Sequence, residues 1–547
     1  MSHPWWKSSV VYQIYPRSFM DSNNDGVGDL NGIISKLDYL ALLGINVIWL
    51  SPVFKSPMDD NGYDISDYDD IAPEFGTLAD MDRLISEARV CGIKIIMDLV
   101  VNHSSDEHPW FESARQSPDS PYRDYYIWRD ARPNGSLPSD IRSYFGGPAW
   151  TFNPATKDYY FHQFSTKQPD LNWENPAVAE AVYAMMNRWL DRGIAGFRMD
   201  VIDLIGKDVD SKVLANGPTL HTHLQAMHQA TLKGRDALTV GETWSVTPQT
   251  ARLYSAPERE ELSMVFQFEH IALSFDPVYG KWKPRAVDLL ELKQVFAKWQ
   301  TELEGRGWNS LFWNNHDLPR AVSKYGDDGI WRVASAKALA TVLHGMQGTP
   351  YVYQGEEIGM TNVAFKSIED YQDIETRNLY IEKLEQGDEH ATLMAAIHKN
   401  SRDNARTPMQ WNTSEHAGFS TAEPWLKVNP NYTEINVTAD LENRDSIFYH
   451  YQRLIQLRKT NSTLVTGHFE LLLEDHPQVF AYLRTGESET LLIVGNLSSE
   501  KLSIALPDNV PVDTANVLIC SGTARTELST VLELHPYDAF IVALSQP

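Results

Sequence analysis

The chain of 547 residues contains only two cysteines, Cys91 and Cys520. They lie far apart in the sequence, and Cys91 falls in a segment with helical periodicity. A disulfide framework needs several paired cysteines, and a zinc site needs clustered thiolate or imidazole ligands. The sequence therefore predicts neither a disulfide scaffold nor a zinc site.

Positive charge is also scarce, because the chain has 47 Lys and Arg but 73 Asp and Glu, which gives a formal net charge of −26 at pH 7. Such a charge disfavours binding to nucleic acid or anionic membranes. No apolar run approaches the roughly 18 residues of a membrane span. The amino-terminal stretch MSHPWWKSSVVYQIYP lacks the basic and apolar regions of a signal peptide. We therefore expect a cytoplasmic monomer that binds neither nucleic acid nor membranes.

Short β-rich runs alternate with longer segments of helical periodicity through most of the chain. The strand candidates lie at 9–15, 46–50, 94–100, 195–200, 237–242, 263–268, 310–313 and 350–355. The clearest helical segments lie at 32–44, 79–92, 177–193 and 330–346. Alternation of this kind predicts a parallel sheet, and eight strands predict an α/β fold of the (β/α)8 TIM-barrel type.

Two regions interrupt this alternation. Residues 105–173, between the third and fourth strands, are rich in Pro, Asp, Tyr and Trp, and barrel loops of this length are usually functional insertions. Residues 469–547 contain short strands separated by turns, which predicts a carboxyl-terminal antiparallel β-sandwich. The barrel would then comprise residues 1–104 and 174–468, with a loop-rich domain inserted after its third strand.

Acidic residues fall at or after the ends of several predicted strands: Asp98, Asp200, Glu242 and Asp317. The active site of a (β/α)8 barrel lies at the carboxyl ends of its strands. A single carboxylate there is usually a helix cap or a solvated loop residue. Several on one rim, each near an Arg, His, Asn or Trp, indicate acid/base chemistry, because crowded carboxylates separate in pKa.

Neighbours on the same strand face suggest different roles for two of these acids. Arg198 lies two residues before Asp200 and shares its face, and a guanidinium favours an ionised carboxylate, as a nucleophile requires. Trp244 has the same relation to Glu242, and an aromatic wall favours the protonated form that a general acid requires. Glycoside hydrolysis uses this pairing of carboxylate and carboxylic acid.

Four segments resemble, in order, the signature segments of the α-amylase superfamily, glycoside hydrolase family 13: DLVVNH at 98–103, GFRMD at 196–200, GETW at 241–244 and NNHD at 314–317. QPDLNWENP at 168–176 and VYQIYPRSFMDSNNDGVGDL resemble the oligo-1,6-glucosidase and dextran glucosidase (glucan 1,6-α-glucosidase) branch. The resemblance implies a retaining α-glucosidase acting on isomaltooligosaccharides through a covalent glucosyl-enzyme intermediate. It also allows α-1,4 hydrolysis and transglycosylation.

The resemblance also implies a role for each matching residue. Asp200 would be the nucleophile, Glu242 the acid/base and Asp317 the stabiliser of the oxocarbenium-like transition state. Residues that would bind or orient the bond-cleaving glucose are Tyr63, Asp64, His103, Arg198, His316 and Arg402. Asp64 and Arg402 would close the pocket around the non-reducing-end sugar, which implies an exo-acting enzyme that releases α-glucose.

Linkage preference depends on fewer residues. Val201, directly after the nucleophile, matches relatives that cleave α-1,6 bonds, but a β-branched residue also suits a strand end. By resemblance, Lys281 and Glu375 would contact the second sugar, and Trp244 would belong to the same aglycone site.

The acidic loop at 21–29 is a candidate metal site with oxygen ligands at alternate positions, which suit Ca²⁺. It is not an EF-hand, because Gly32 occupies the twelfth position. The matching loop of the branch implies one structural Ca²⁺ or Mg²⁺, with ligands Asp21, Asn23, Asp25, the Val27 carbonyl and Asp29. A metal-free Asp/Asn/Gly turn is the simpler alternative. The resemblance implies no organic cofactor.

Three other functions share parts of this pattern. Trehalose-6-phosphate hydrolases resemble HGMQGTPYVYQGEEIGMTN at 344–362, but they tend to lack the Trp of GETW. Sucrose isomerases carry an Arg-rich loop that is absent near NNHDLPRAVSKYG. Non-catalytic transporter heavy chains have a membrane span and have lost catalytic carboxylates, whereas this chain keeps all three acids.

Overall fold

The computed structural model describes residues 3–277, 279–508, 510–511, 515–522, 525 and 528–544. Eight parallel strands form its central sheet: β1 Val11–Ile14, β2 Val47–Leu50, β3 Lys94–Leu99, β4 Gly196–Met199, β5 Leu238–Glu242, β6 Met264–Phe266, β7 Ser310–Leu311 and β8 Thr349–Tyr353. Their order is β6-β5-β4-β3-β2-β1-β8-β7. A parallel bridge from Val265 to Asn309 joins β6 to the segment before β7 and closes the barrel. The predicted fold is confirmed.

Helices follow the strands and cover the barrel. The principal ones are Leu30–Ile34, Leu37–Leu43, Leu78–Val90, Pro176–Arg192, Leu220–Met227, Pro248–Ser255, Leu289–Leu303, Arg332–His344, Ile374–Glu385, His390–Asn400 and Ile447–Thr460. The segment 32–44 was predicted as one helix but forms two. The Ser35 hydroxyl donates to the Gly32 carbonyl, and Lys36 has a non-helical ψ of 8°.

The barrel interior is filled by apolar side chains on alternate strand positions, including Val11, Val47, Ile96, Val240 and Tyr351. The same alternation aims polar residues into the barrel near the carboxyl ends of the strands. Asp98 lies two residues after Ile96, and Glu242 lies two residues after Val240, so each continues the inward face of its strand. The strand period thus places the acids above a packed apolar core.

Between β3 and β4 the chain forms a small substructure of its own. It contains a helix, Pro109–Ala114, and an antiparallel sheet of strands Trp128–Arg129, Asp158–Phe161 and Trp150–Asn153. Ile127, Trp150 and Phe161 belong to its apolar core. A second small sheet pairs Phe54–Lys55 with Asp67–Ile71 between β2 and β3. Both lie on the carboxyl side of the barrel.

The carboxyl-terminal region is an antiparallel β domain, as predicted. Its strands are β9 His468–Leu472, β10 Val479–Thr485, β11 Thr490–Asn496, β12 Leu502–Ala505, β13 Ala515–Cys520, β14 Val531–Leu534 and β15 Ala539–Leu544. A five-stranded sheet, β9-β10-β11-β15-β13, faces the β12–β14 pair across an apolar core. The Tyr482 hydroxyl donates to the Val342 carbonyl at 2.6 Å and ties this domain to the barrel. Among the described residues, no helix combines the length and apolarity needed to cross a membrane.

Candidate active site

A cavity of about 350 Å³ opens at the carboxyl ends of the barrel strands. Residues of the inserted substructure and of the helices after β8 complete its walls. The predicted site residues that line it are Tyr63, His103, Asp200, Val201, Glu242, Trp244, Lys281, Asp317, Glu375 and Arg402. Arg198 and His316 lie buried behind this lining and contact it, whereas Asp64 contributes nothing to it.

Arg198 joins the acids at the ends of three neighbouring strands. Its guanidinium donates to Asp98 at 2.7 Å, to Asp200 at 2.6 Å and to Glu242 at 2.5 Å. The Trp49 indole N–H also donates to Asp98, at 2.9 Å. Arg198 is 1% exposed, so these charge-assisted bonds form away from water, where they are strongest. One arginine therefore fixes the positions of the predicted nucleophile and acid/base.

Because Asp200 shares the Arg198 guanidinium with Asp98 and Glu242, its expected ionisation changes. Burial raises its pKa well above the usual range, and the Glu242 and Asp98 carboxyl groups add to the rise, while Arg198 opposes it. Burial likewise raises the pKa of Asp98 to about 6. The sequence-based expectation that Arg198 keeps Asp200 ionised is therefore incomplete, because one guanidinium serves three carboxyl groups. The charge of Arg198 therefore opposes the rise in the pKa of Asp200 without cancelling it.

Asp317 lies in a more positive environment. Its carboxylate accepts from Arg406 at 2.7 Å and from Arg402 at 3.3 Å. Burial alone would raise the pKa of Asp317, but the charges around it hold the pKa well below its usual range. Because burial lowers the pKa of adjacent His316 to about 3, the two arginines supply this effect near neutral pH. Asp317 is therefore a permanent anion beside the cavity.

The predicted contact between Asp64 and Arg402 is wrong, because Asp60 occupies that place. The Asp60 carboxylate accepts from Arg402 at 3.0 Å and lines the cavity. Asp64 is fully buried and accepts from the Ser56 hydroxyl and from the backbone N–H groups of Asp59 and Asp60. Within the 56–64 loop, the Asp64 carboxylate forms hydrogen bonds inside the loop, whereas the Asp60 carboxylate faces the cavity.

The predicted sugar contacts Tyr63, His103 and His316 meet on one side of the site. The Tyr63 ring stacks on His316, with centroids 5.1 Å apart and planes 7° apart. Its hydroxyl donates to Asp98 at 3.0 Å. His103 Nε2 lies 3.1 Å from the Tyr63 carbonyl and 3.2 Å from Gln168 Nε2. Burial lowers the pKa of His103 to about 4, so both imidazoles are neutral near pH 7.

The other half of the cavity combines a salt bridge with an aromatic wall. Lys281 Nζ lies 2.6 Å from Glu375, which Arg402 also approaches. Trp244 is 45% exposed and stacks on Phe268, with ring centroids 4.0 Å apart. Its indole N–H donates to Glu242 Oε1 at 2.9 Å, so Trp244 offers the acid a hydrogen bond as well as an apolar surface.

Val201 has a backbone conformation that its residue type disfavours. Its φ of 35° lies in the left-handed region, where a β-branched residue is a genuine outlier. A preference for strand ends therefore does not explain Val at this position. The conformation lets the Val201 N–H donate to Glu242 Oε2 at 3.2 Å. Local strain of this kind typically marks functional sites.

The cavity also contains residues that sequence reasoning missed. They include Asp60, Tyr144, Phe145, Phe164, Asp203 and Ser245, and Arg406 lies just behind them. Arg406 lies four residues after the predicted Arg402, and Asp60 lies four residues before the predicted Asp64. The sequence therefore places both near predicted site residues, but it gave neither a role. Tyr144, Phe145 and Phe164 belong to the insertion, which carried no motif there.

The predicted metal loop is built from local hydrogen bonds. Asp21 accepts from the backbone N–H groups of Asn23, Asn24 and Gly26, and Asp25 accepts from that of Val27. Asp29 instead bonds to Ser22 and caps the following helix. The oxygen donors suit Ca²⁺, but within the part of the chain that the structure describes no three acidic, His or Cys side chains converge on one point. A metal would need these carboxylates to turn inward.

A closed parallel barrel that gathers acidic side chains around one cavity at its carboxyl end has the architecture of a glycoside hydrolase. Residues 13–467 match the model of the alpha amylase catalytic domain, and residues 479–541 match that of the alpha-amylase SusG C-terminal domain. The chain belongs to the alpha-amylase family, which confirms the resemblance recognised in its sequence.

Individual relatives match along their whole length. A palatinase of Erwinia rhapontici is 58% identical, with 100% of each chain covered. An oligo-1,6-glucosidase of Halalkalibacterium halodurans is 55% identical, over 98% of this chain and 99% of the relative. The crystal structure of a Bacillus licheniformis trehalose-6-phosphate hydrolase variant superposes with a TM-score of 0.96 at 46% identity, with 100% of both chains covered.

Proposed function

We propose that this glycoside hydrolase is a retaining, exo-acting α-glucosidase that cleaves α-1,6 bonds at the non-reducing ends of isomaltooligosaccharides. The observation that carries the proposal is the arrangement of Asp200 and Glu242 on one buried guanidinium, with ionised Asp317 beside the same cavity. Full-length similarity to relatives named oligo-1,6-glucosidase supports the substrate class.

In the proposed reaction an Asp200 oxygen attacks the anomeric carbon while protonated Glu242 donates its proton to the leaving glycosidic oxygen. The bond to the leaving sugar breaks, and a covalent glucosyl-Asp200 intermediate forms. Glu242, now a carboxylate, then takes a proton from water as that water attacks the same carbon. Two inversions give α-glucose.

Exo-action follows from the charged wall at one end of the cavity. Arg402 bonds Asp60 and Asp373 at 3.0 and 2.6 Å and approaches Asp317, and its side chain is almost fully buried. In this proposal the network blocks a glucan chain from extending beyond the first sugar. Its carboxylates and guanidinium suit the hydroxyl groups of a terminal glucose.

The linkage preference is proposed to come from the opposite half of the cavity. The Lys281–Glu375 pair offers a donor and an acceptor to hydroxyl groups of the second sugar, and Trp244 offers a flat surface for its ring. Val201 occupies the wall next to the nucleophile, where its apolar methyls favour the extra methylene of an α-1,6 linkage.

Trehalose-6-phosphate hydrolysis is the main competing activity. The structural relative at 46% identity has that activity in its name. Lys324 also lines the cavity, donates to the Ile271 carbonyl and is the cation that would meet an anionic substituent, although burial lowers its pKa to about 7. Against this activity, Trp244 fills the wall beside Glu242, and the other lysine, Lys281, is already neutralised by Glu375.

The proposal is tested by initial rates on isomaltose, panose, maltose, trehalose-6-phosphate and sucrose. We expect isomaltose and panose to be hydrolysed fastest, and Asp200→Asn to lose activity by at least about 10³-fold while remaining folded. The Asn variant also controls for contaminating glucosidases. A highest kcat/KM on trehalose-6-phosphate would overturn the assigned substrate class.

Three predictions from the sequence stay predictions: the cytoplasmic location, the monomeric state and the structural Ca²⁺ or Mg²⁺. If the metal binds, Asp21, Asn23, Asp25, Asp29 and the Val27 carbonyl would hold it and so tether the 21–29 loop. We assign it no part in the reaction.

A further inference from the structure

The turn after β4 and the segment after β5 touch at several points. The Val201 N–H donates to Glu242 Oε2, and the Ser245 hydroxyl donates to Asp203 Oδ2 at 3.0 Å. Between these two contacts the Ile202 side chain packs closely on Gly241, because a Cβ on Gly241 would lie only 2.8 Å from it. The nucleophile and the acid/base are thus carried by two segments that are bonded to each other.

Asn216 closes these contacts into a ring of hydrogen bonds that joins Asp203, Ser245 and Asn216. Its side-chain amide donates to Ser245 Oγ at 2.6 Å, and its backbone N–H donates to the Asp203 carbonyl at 2.8 Å. The Tyr254 hydroxyl donates to the Asn216 side-chain oxygen at 2.5 Å. Asn216 has a φ of 49°, a left-handed conformation that Asn tolerates better than most residues. Residues from three separate parts of the chain therefore meet at one ring.

The ring holds the segment after β5 at Ser245, next to the place where Trp244 stacks on Phe268. Ser245 is exposed and Trp244 is 45% exposed, whereas Asp203 is only 2% exposed and forms the buried end of the ring. Trp244 in turn donates its indole N–H to Glu242 Oε1. Loss of the Asp203 acceptor would leave Ser245 bonded to Asn216 but not to the buried end of the ring. The segment that carries Trp244, and with it the indole bond to Glu242 Oε1, would then be less firmly held.

We propose that Asp203 is a positioning residue, which acts through Ser245 and Asn216 to hold Glu242 in place as acid/base opposite Asp200. The inference deepens the proposed retaining mechanism, since that mechanism requires a fixed separation between the two carboxyl groups. It assigns Asp203 no contact with the substrate. Burial raises the pKa of Asp203 to about 7, so an uncharged Asn is a close substitute for it.

The test uses two aryl α-glucosides that differ only in how much the leaving group needs a proton. Phenoxide is the more basic leaving group and depends strongly on proton donation in the transition state, whereas 4-nitrophenoxide departs with little such help. A misplaced acid therefore slows phenyl α-glucoside more than 4-nitrophenyl α-glucoside. Asp203→Ala and Ser245→Ala should each lower kcat/KM for the phenyl substrate about tenfold more than for the nitrophenyl substrate. Asp203→Asn, which keeps an acceptor, should stay within about threefold of wild type on both.

Two further variants sharpen the result. If Asp203 acts through Ser245, the double Ala variant should be no slower than the slower single variant, because coupled residues are non-additive. Thr77→Ala is the control for general destabilisation, since it removes the cap of the helix Leu78–Val90, which contributes no residue to the cavity lining, and it should leave both rates unchanged.

Three outcomes would overturn the inference. They are equal losses on the two aryl glucosides, multiplicative effects in the double variant, and a loss confined to isomaltose, which would make Asp203 a direct aglycone contact. A wild-type enzyme that cleaves aryl glucosides but not isomaltose would contradict the proposed substrate and leave this test intact.

Discussion

Replacing Asp60 and Asp64 separately by Asn is expected to damage different properties of the enzyme. Asp60 is 5% exposed, lines the cavity and accepts from Arg402 at 3.0 Å and from Gln168 at 3.2 Å. Asp64 is 0% exposed and accepts from groups of its own loop, Ser56 and the backbone N–H groups of Asp59 and Asp60. The two positions are four residues apart, and the same substitution at each keeps the side-chain shape.

The magnitudes follow from these contacts. Asp60→Asn removes a charge from the wall that is proposed to grip the terminal glucose, and one charge-assisted hydrogen bond is worth about 1.5–3 kcal/mol. This corresponds to a fall in kcat/KM of roughly 10- to 150-fold. In Asp64→Asn, the new amide turns a donor toward a backbone N–H, which costs about 1–3 kcal/mol of stability. Its kcat/KM should stay within about fivefold of wild type.

The assay is kcat/KM on isomaltose and 4-nitrophenyl α-glucoside, with Tm by differential scanning fluorimetry for both variants. Asp60→Asn should lose activity with a small change in Tm, and Asp64→Asn should lose Tm with a small change in activity. A larger activity loss in Asp64→Asn than in Asp60→Asn would refute the assignment of Asp60 as the partner of Arg402 in the sugar-binding wall.

Three other predictions concern linkage, acid stability and the loop at 21–29. Val201→Thr should raise the maltose/isomaltose ratio of kcat/KM, and an unchanged ratio would remove Val201 from the specificity argument. Burial lowers the pKa of His344 from 6.5 to about 3; its neutral form therefore stabilises the fold above pH 6.5, and this contribution is lost as the pH falls toward 3. At pH 5 the loss is about 2 kcal/mol, so the drop in Tm between pH 7 and pH 5 should be smaller in His344→Leu than in wild type. If the loop holds Ca²⁺, EDTA should lower Tm and added Ca²⁺ should restore it, while an Asp21→Ala variant should respond to neither.

Much of the framework could be predicted because it depends on local periodicity. All eight barrel strands were predicted, since each is a short apolar run followed by a turn, and the ends of those strands placed Asp98, Asp200 and Glu242 on one rim. The motif order then singled out Asp200 and Asp317. These features need only a few neighbouring residues to be recognised.

What could not be predicted depends on contacts between distant segments or on backbone angles. Whether Asp60 or Asp64 meets Arg402 depends on how the 56–64 loop turns, and both acids look alike in sequence. The left-handed φ of Val201 cannot be read from its residue type, which disfavours it. The bond from Ser245 to Asp203 joins residues 42 positions apart and carries no motif.

The central claim is a double-displacement hydrolysis of α-1,6-glucosides by Asp200 and Glu242. Its most direct test is ¹H NMR of the reaction with isomaltose, recorded before mutarotation, to identify the anomer of glucose released from the non-reducing end. Retention through a covalent intermediate requires α-glucose as the first product. Initial release of β-glucose would contradict the mechanism, and no release of glucose would contradict the proposed substrate.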